Sequence, residues 1–231
     1  MNSNVDKYIS RLIKTVYDKI SIDLNDMNLD SIVKFDLIKS HLDNKASAGF
    51  QVYYFEIIDN ENLFLTSSDF FRQFKRWYAL QGIDNSYLDR LETIKKEILV
   101  QIRADNLAQL YFDTFNKAEI KHGDGFKEKD LGSFFVKLVH TFRPDDYCAL
   151  DNPIKDYFGL KKESFFISFM IISLAYKQWA SENKKFLQLI RDKFKQADKM
   201  QIIKHDKLTD MKLLDLIFWS KANRNKKKAG I

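Results

Sequence analysis

Only two prolines and seven glycines interrupt a chain of 231 residues. A backbone so poor in helix breakers and turn formers favours long helices joined by short links over a loop-rich β fold. The length allows one large domain or two small ones, with ample material for a core. Hydrophobic residues make up 45% and charged residues 30%, the balance of an ordinary globular chain.

Periodicity places the elements. Val5, Ile9, Leu12, Ile13, Val16 and Ile20 recur at helical spacing and predict an amphipathic helix over 5–20. A second helix is expected over 29–42. FQVYYFEII (50–58) is rich in β-branched and aromatic residues and reads as a strand. The turn Asp59-Asn60-Glu61-Asn62 would pair it with Leu63–Thr66 in a small hairpin. Ser67-Ser68-Asp69 opens the helix DFFRQFKRWYAL, and a long helical pattern runs from Ser86 toward Lys117, interrupted near Ala104-Asp105. KHGDGFKEKD (121–130) holds two glycines and reads as an internal loop between an N-terminal region (1–120) and a C-terminal region (121–231). Helices are expected near 128–142, 162–196 and 207–221, followed by the basic tail KANRNKKKAGI. The expected fold is mainly α, with a small β element in the N-terminal third.

Several function classes drop out. Cys148 is the only cysteine, which excludes an internal disulfide and a CxxC metal site. His41, His122, His140 and His205 are scattered without metal-ligand spacing, so neither metal nor cofactor is expected. No GxxxxGK[ST] loop and no GxSxG elbow occurs. The first residues lack the plan of a signal peptide, and the longest apolar run, 165–175, is eleven residues against the ~20 that span a membrane. A reduced, cytoplasmic setting is expected. The formal charge of +6 and a pI near 9.1 permit attraction to nucleic acid.

The least generic stretch is FFVKLVHTFRPDDYCALDNPIKDYFGL, residues 134–160. Phe134, Phe135, Leu138, Val139 and Phe142 form one buried helical stripe, with Lys137, His140 and Thr141 off it. Arg143-Pro144 ends that helix, and Pro153 suits the first turn of the next, with Asn152 as its cap. Asp151 stands at that helix mouth, as a turn-organising residue or as a carboxylate facing a substrate.

The order of a helix bearing Lys137 and His140, a Pro144-Asp145 turn, an apolar approach, then Asp151 resembles the catalytic-aspartate segment of the helix-hairpin-helix DNA glycosylase superfamily, in particular its 8-oxoguanine glycosylase-like branch. LLDLIFW (213–219) is similar to the Leu-Asp-x-x-Leu-Trp helix that closes short bacterial members. The resemblance covers about 130–160 and, weakly, 207–219. It implies a multi-helix glycosylase-like bundle that flips a base out of DNA, with Asp151 stabilising the positive sugar and activating the nucleophile. The nucleophilic lysine of bifunctional members would fall nearest Lys129; Lys137 reads as a solvated or phosphate-facing residue, and Lys137 and His140 are expected nucleic-acid contacts. The family hairpin reads Gly-hydrophobic-Gly, but KEKDLGSFF carries a single glycine, Gly132.

FFRQFKRWYAL (70–80) interleaves Arg72, Lys75 and Arg76 with Phe70, Phe71, Phe74, Trp77 and Tyr78. It fits either nucleic-acid contact through Arg72, Lys75, Arg76 and Trp77 or an amphipathic helix with a basic outer face. Lys226-Lys227-Lys228 would add phosphate affinity or simply be solvated. DNA is the expected partner of a base-excising reading. The alternative is a non-catalytic binding or assembly module in a multi-protein system that keeps the same fold.

Overall fold

Helix α1 (Ser3–Asp23) follows its apolar spacing, with Val16 and Ile20 buried and the outlying Val5 exposed. The computed structural model describes residues 3–60, 62–123 and 125–228, and most of them are helical. Helix α2 (Leu29–Ser31) runs on through Ile32–Leu42 in wider i→i+5 turns.

The expected strand at 50–58 is instead part of α3 (Lys45–Asp59). Val52 and Glu56, four residues apart, face solvent, while Gln51, Tyr54 and Phe55 turn inward, which is a helical and not a strand alternation. Asn44 caps α3 by accepting the Ser47 N–H at 3.1 Å. The proposed partner strand is the short helix α4 (Asn62–Thr66). Packing of the aromatic face outweighs the strand preference of the individual residues.

Helix α5 (Phe70–Trp77) begins after Asp69, as expected, and buries Phe70, Phe71 and Phe74. Helices α6 (Asn85–Thr93) and α7 (Lys95–Arg103) follow, and Asp105, at φ +62°, breaks the chain before α8 (Leu107–Leu110), which extends in wider turns to Phe115. The expected loop at 121–130 contributes to the antiparallel hairpin β1 (Ala118–His122) and β2 (Gly125–Lys129), in register Ala118↔Lys129 and His122↔Gly125. The β element therefore lies mid-chain and not in the N-terminal third. Gly123, at φ +60°, supplies the tight reversal.

Helix α9 (Gly132–Phe142) leads to α10 (Asn152–Tyr157). The single helix expected over 162–196 is two, α11 (Phe165–Glu182) and α12 (Lys184–Ala197), because Asn183 leaves helical geometry and its side-chain amide donates back to the Trp179 carbonyl at 2.9 Å. Helix α13 (Asp210–Lys228) is longer than expected. The side chains of Lys226-Lys227-Lys228 lie outside the described residues.

Helix α9 is the axis of the core, packed by α3, α7, α11 and the 111–115 turns. It is buried on more than the predicted stripe: Val136, His140 and Thr141 are enclosed as well. Helix α1 lies on α11, and α13 lies on the 32–42 segment, α10 and α11. One cluster of buried apolar residues runs from Val16 to Ala222 through both halves of the chain. Among the described residues no helix is long and apolar enough to cross a membrane.

Candidate functional site

The strand β2, and not a helix, feeds α9, so a helix-hairpin-helix does not form across KEKDLGSFF. Gly132 serves packing: a Cβ there would sit 2.2 Å from the Phe165 Cβ, so only glycine lets α9 approach the start of α11. Its N–H is already taken, donating to Asp130 Oδ1 at 2.7 Å, and the Tyr111 hydroxyl donates to the same oxygen at 2.9 Å. The Asp130 side chain thus occupies the first amide of α9.

Beyond α9, the approach to Asp151 is held at successive residues by buried side chains. His140 Nδ1–H donates to the Tyr147 carbonyl at 2.7 Å. Ser173 Oγ, on α11, accepts the Cys148 N–H at 3.0 Å. Asp215 Oδ2, on α13, accepts the Ala149 N–H at 2.7 Å. A segment without regular structure thereby satisfies its backbone groups away from water. Asp151 follows in extended geometry and caps α10 itself, Oδ1 accepting the Ile154 N–H at 3.1 Å; Asn152, the expected cap, is the first helical residue and exposed. The fixed ring of Pro153 suits this first turn.

Lys137 and Asp151 are both half-buried and interact electrostatically. Burial pulls the Lys137 ammonium below its ordinary pKa, and the Asp151 charge works against that shift. The ammonium also stands 5.6 Å from the centre of the Tyr78 ring. Thr141 Oγ1 donates to the Lys137 carbonyl at 2.9 Å and accepts from the Tyr78 hydroxyl at 3.1 Å, tying the end of α5 to this side of α9.

Beneath them lies a buried set that sequence reasoning missed. The Lys212 ammonium is 3.7 Å from the centre of the Tyr54 ring, and burial lowers its pKa to about 8. Burial pushes the Asp215 carboxyl upward, opposed by the Ala149 hydrogen bond and by Lys212, and Oδ1 has no hydrogen-bond partner among the described residues. His140 is held neutral, its pKa lowered to about 3 by burial and by Lys212, with Nε2 accepting from the Tyr54 hydroxyl at 3.0 Å. The signal in the sequence was two charges three residues apart inside the apolar run MKLLDLIFW.

The remaining expected residues part company. His140 is fully enclosed and cannot face phosphate without unfolding α9; this corrects the expected nucleic-acid contact. Lys129 does not pair with Asp151: its ammonium donates to the carbonyls of Gln81 and Gly82 at 2.9 and 3.1 Å. Arg72, Lys75 and Arg76 share the outer side of α5 and line an open cleft of about 390 Å³ against α6. Trp77 is half-buried and stacks on Tyr53, ring centres 5.2 Å apart and 18° from parallel. No metal-holding group of histidine, cysteine or acidic side chains occurs among the described residues. No protein-family model, characterised protein or solved structure matches the chain.

Proposed function

We propose that the protein engages DNA and excises a flipped base, with Asp151 and Lys137 as the reacting pair. The observation that carries this is a half-buried lysine whose pKa burial lowers and whose charge interacts with that of Asp151, a carboxylate that follows a tethered backbone and caps α10. A desolvated amine is more often neutral, and a neutral amine is a nucleophile. The glycosidic bond between C1′ and the base nitrogen breaks with its electron pair leaving on the base. The carboxylate of Asp151 stabilises the positive charge that develops on the sugar. Attack at C1′ by the Lys137 amine, followed by cleavage of the C1′–O4′ bond, gives a covalent imine to the opened sugar, the two amine protons passing to the departed base and to O4′; attack by water, with its proton passing to the base, gives an abasic site. In this assignment Lys137 takes the role that the resemblance gave to the position near Lys129, which the hairpin carries elsewhere.

The test is base release and strand cleavage on duplexes bearing a panel of damaged and mismatched bases, with borohydride added to trap an imine. Asp151→Asn is expected to slow release by about 10²–10³. Lys137→Gln is expected to abolish the borohydride-trapped adduct. No release across the panel by a folded wild-type protein removes the enzymatic reading. The rival is a non-catalytic binding or assembly module. It draws on the cap that Asp151 supplies to α10, and it expects both substitutions to leave binding unaltered.

A further inference from the structure

We propose that the cleft between α5 and α6 holds the phosphate backbone of a nucleic-acid strand, and that this surface replaces a helix-terminus clamp. It rests on the reading that the chain engages nucleic acid, and it adds where the strand is gripped.

Three cations, Arg72, Lys75 and Arg76, line the cleft together with the amide of Asn85, and no acidic residue among the described residues lines it. Leu80 and Leu88 supply an apolar lining. The volume of about 390 Å³ suits one nucleotide-sized unit of a longer strand. Arg72 and Arg76 are exposed and one helical turn apart, so their guanidinium groups meet successive anionic groups along a chain. Arg76 lies 5.8 Å from the centre of the Trp77 ring, which leaves its charge at the surface with no carboxylate partner among the described residues. Arg72 does have one, Asp89 at 2.6 Å, in a pair exposed enough for a phosphate to displace.

The framework of the cleft is itself built by cations. Lys75 donates to the Ile83 carbonyl at 2.5 Å, and Lys129, arriving from β2, donates to Gln81 and Gly82. Three consecutive carbonyls of the turn therefore face ammonium groups. This gives Lys129 a place in the same basic surface as α5. At the start of α9 the reverse holds, because the Asp130 carboxylate caps the Gly132 N–H and repels an anion.

The experiment is a fluorescence-anisotropy titration of labelled single-stranded and duplex oligonucleotides over a range of salt. It compares wild type, the pair R72A/R76A, and a charge-matched control pair, K14A/K193A, on α1 and α12. R72A/R76A is expected to weaken binding about tenfold at low salt and to reduce the slope of log K against log salt by roughly 1–2. The control pair is expected to bind as wild type does. Equal weakening by the cleft and control pairs would overturn the cleft, leaving only a net-charge effect. Unchanged binding by R72A/R76A, or wild-type affinity no higher for a strand than for a mononucleotide, would also overturn it. Absence of base release by wild type, with its strand binding intact, would sink the catalytic reading alone.

Discussion

A methyl group at residue 132 would have nowhere to go. Its neighbour is the Cβ of Phe165, fixed to its own helix backbone, so relief requires α9 and α11 to separate. Gly132→Ala is therefore expected to destabilise the fold by about 1–3 kcal/mol, the usual range for overpacking, seen as a lower urea midpoint. His41 carries a different prediction. Buried between Ser47 Oγ and the Leu216 carbonyl, it has its pKa lowered by desolvation from 6.5 to about 4. The unfolded chain binds this proton at higher pH than the folded one. The contribution of neutral His41 is thus complete above 6.5 and is lost as pH falls toward 4, at up to about 1.4 kcal/mol per pH unit. Denaturation curves at pH 7, 6 and 5 should show His41→Gln losing less stability on acidification than wild type. Other groups, including Asp215, whose raised carboxyl acts with the opposite sign, enter both proteins alike.

At the scale of elements, the segment 147–150 behaves as a tethered strap. Asp215→Ala removes the acceptor of the Ala149 N–H and leaves that donor without its partner, at about 1–3 kcal/mol. Hydrogen exchange is expected to accelerate at Cys148, Ala149 and Ile154 while amides inside α1 keep their protection; uniform acceleration would refute a local tether. Much of this region is legible in the sequence. Pro144 and Pro153 bracket the strap, and Asp151 at a helix mouth follows from the residues alone. The partnership of Lys137 with Asp151 is not legible, since it depends on α9 being enclosed on several faces. Nor is the role of Asp215, which reaches Ala149 across 66 positions of chain. The error at 50–58 has the same source. Aromatic and β-branched residues favour a strand locally, but the helical spacing of Gln51, Tyr54 and Phe55 is what the core selects. The break at Asn183 was hidden because one polar residue between two helical patterns carries no decisive signal.

At the scale of the molecule, α13 joins parts that are distant in sequence. Lys221 and Arg224 both pair with the buried Asp36, Leu216 accepts from His41, and Asp215 holds the strap. Burial raises the Asp36 carboxyl, and Lys221 and Arg224 pull it back. Removing both cations leaves a buried carboxylate unpaired, so K221M/R224M is expected to cost about 3–5 kcal/mol, and the further change D36L to restore much of it. Chemical denaturation of wild type and the two variants checks the order. With one core cluster spanning both halves of the chain, each is expected to unfold in a single transition by fluorescence and circular dichroism.

The position of α13 also sets a sequence of events in time. During synthesis, residues 134–160 leave the ribosome well before Lys212 and Asp215 exist. Until α13 docks, the Ala149 amide lacks its acceptor and Tyr54 lacks the cation above its ring. A nascent chain can thus form α9 and expose Asp151 while the strap beneath it is slack. The strap before Asp151 is fully tethered only when α13 docks on α10 and α11, so a chain interrupted before residue 210 would carry Lys137 and Asp151 without that support.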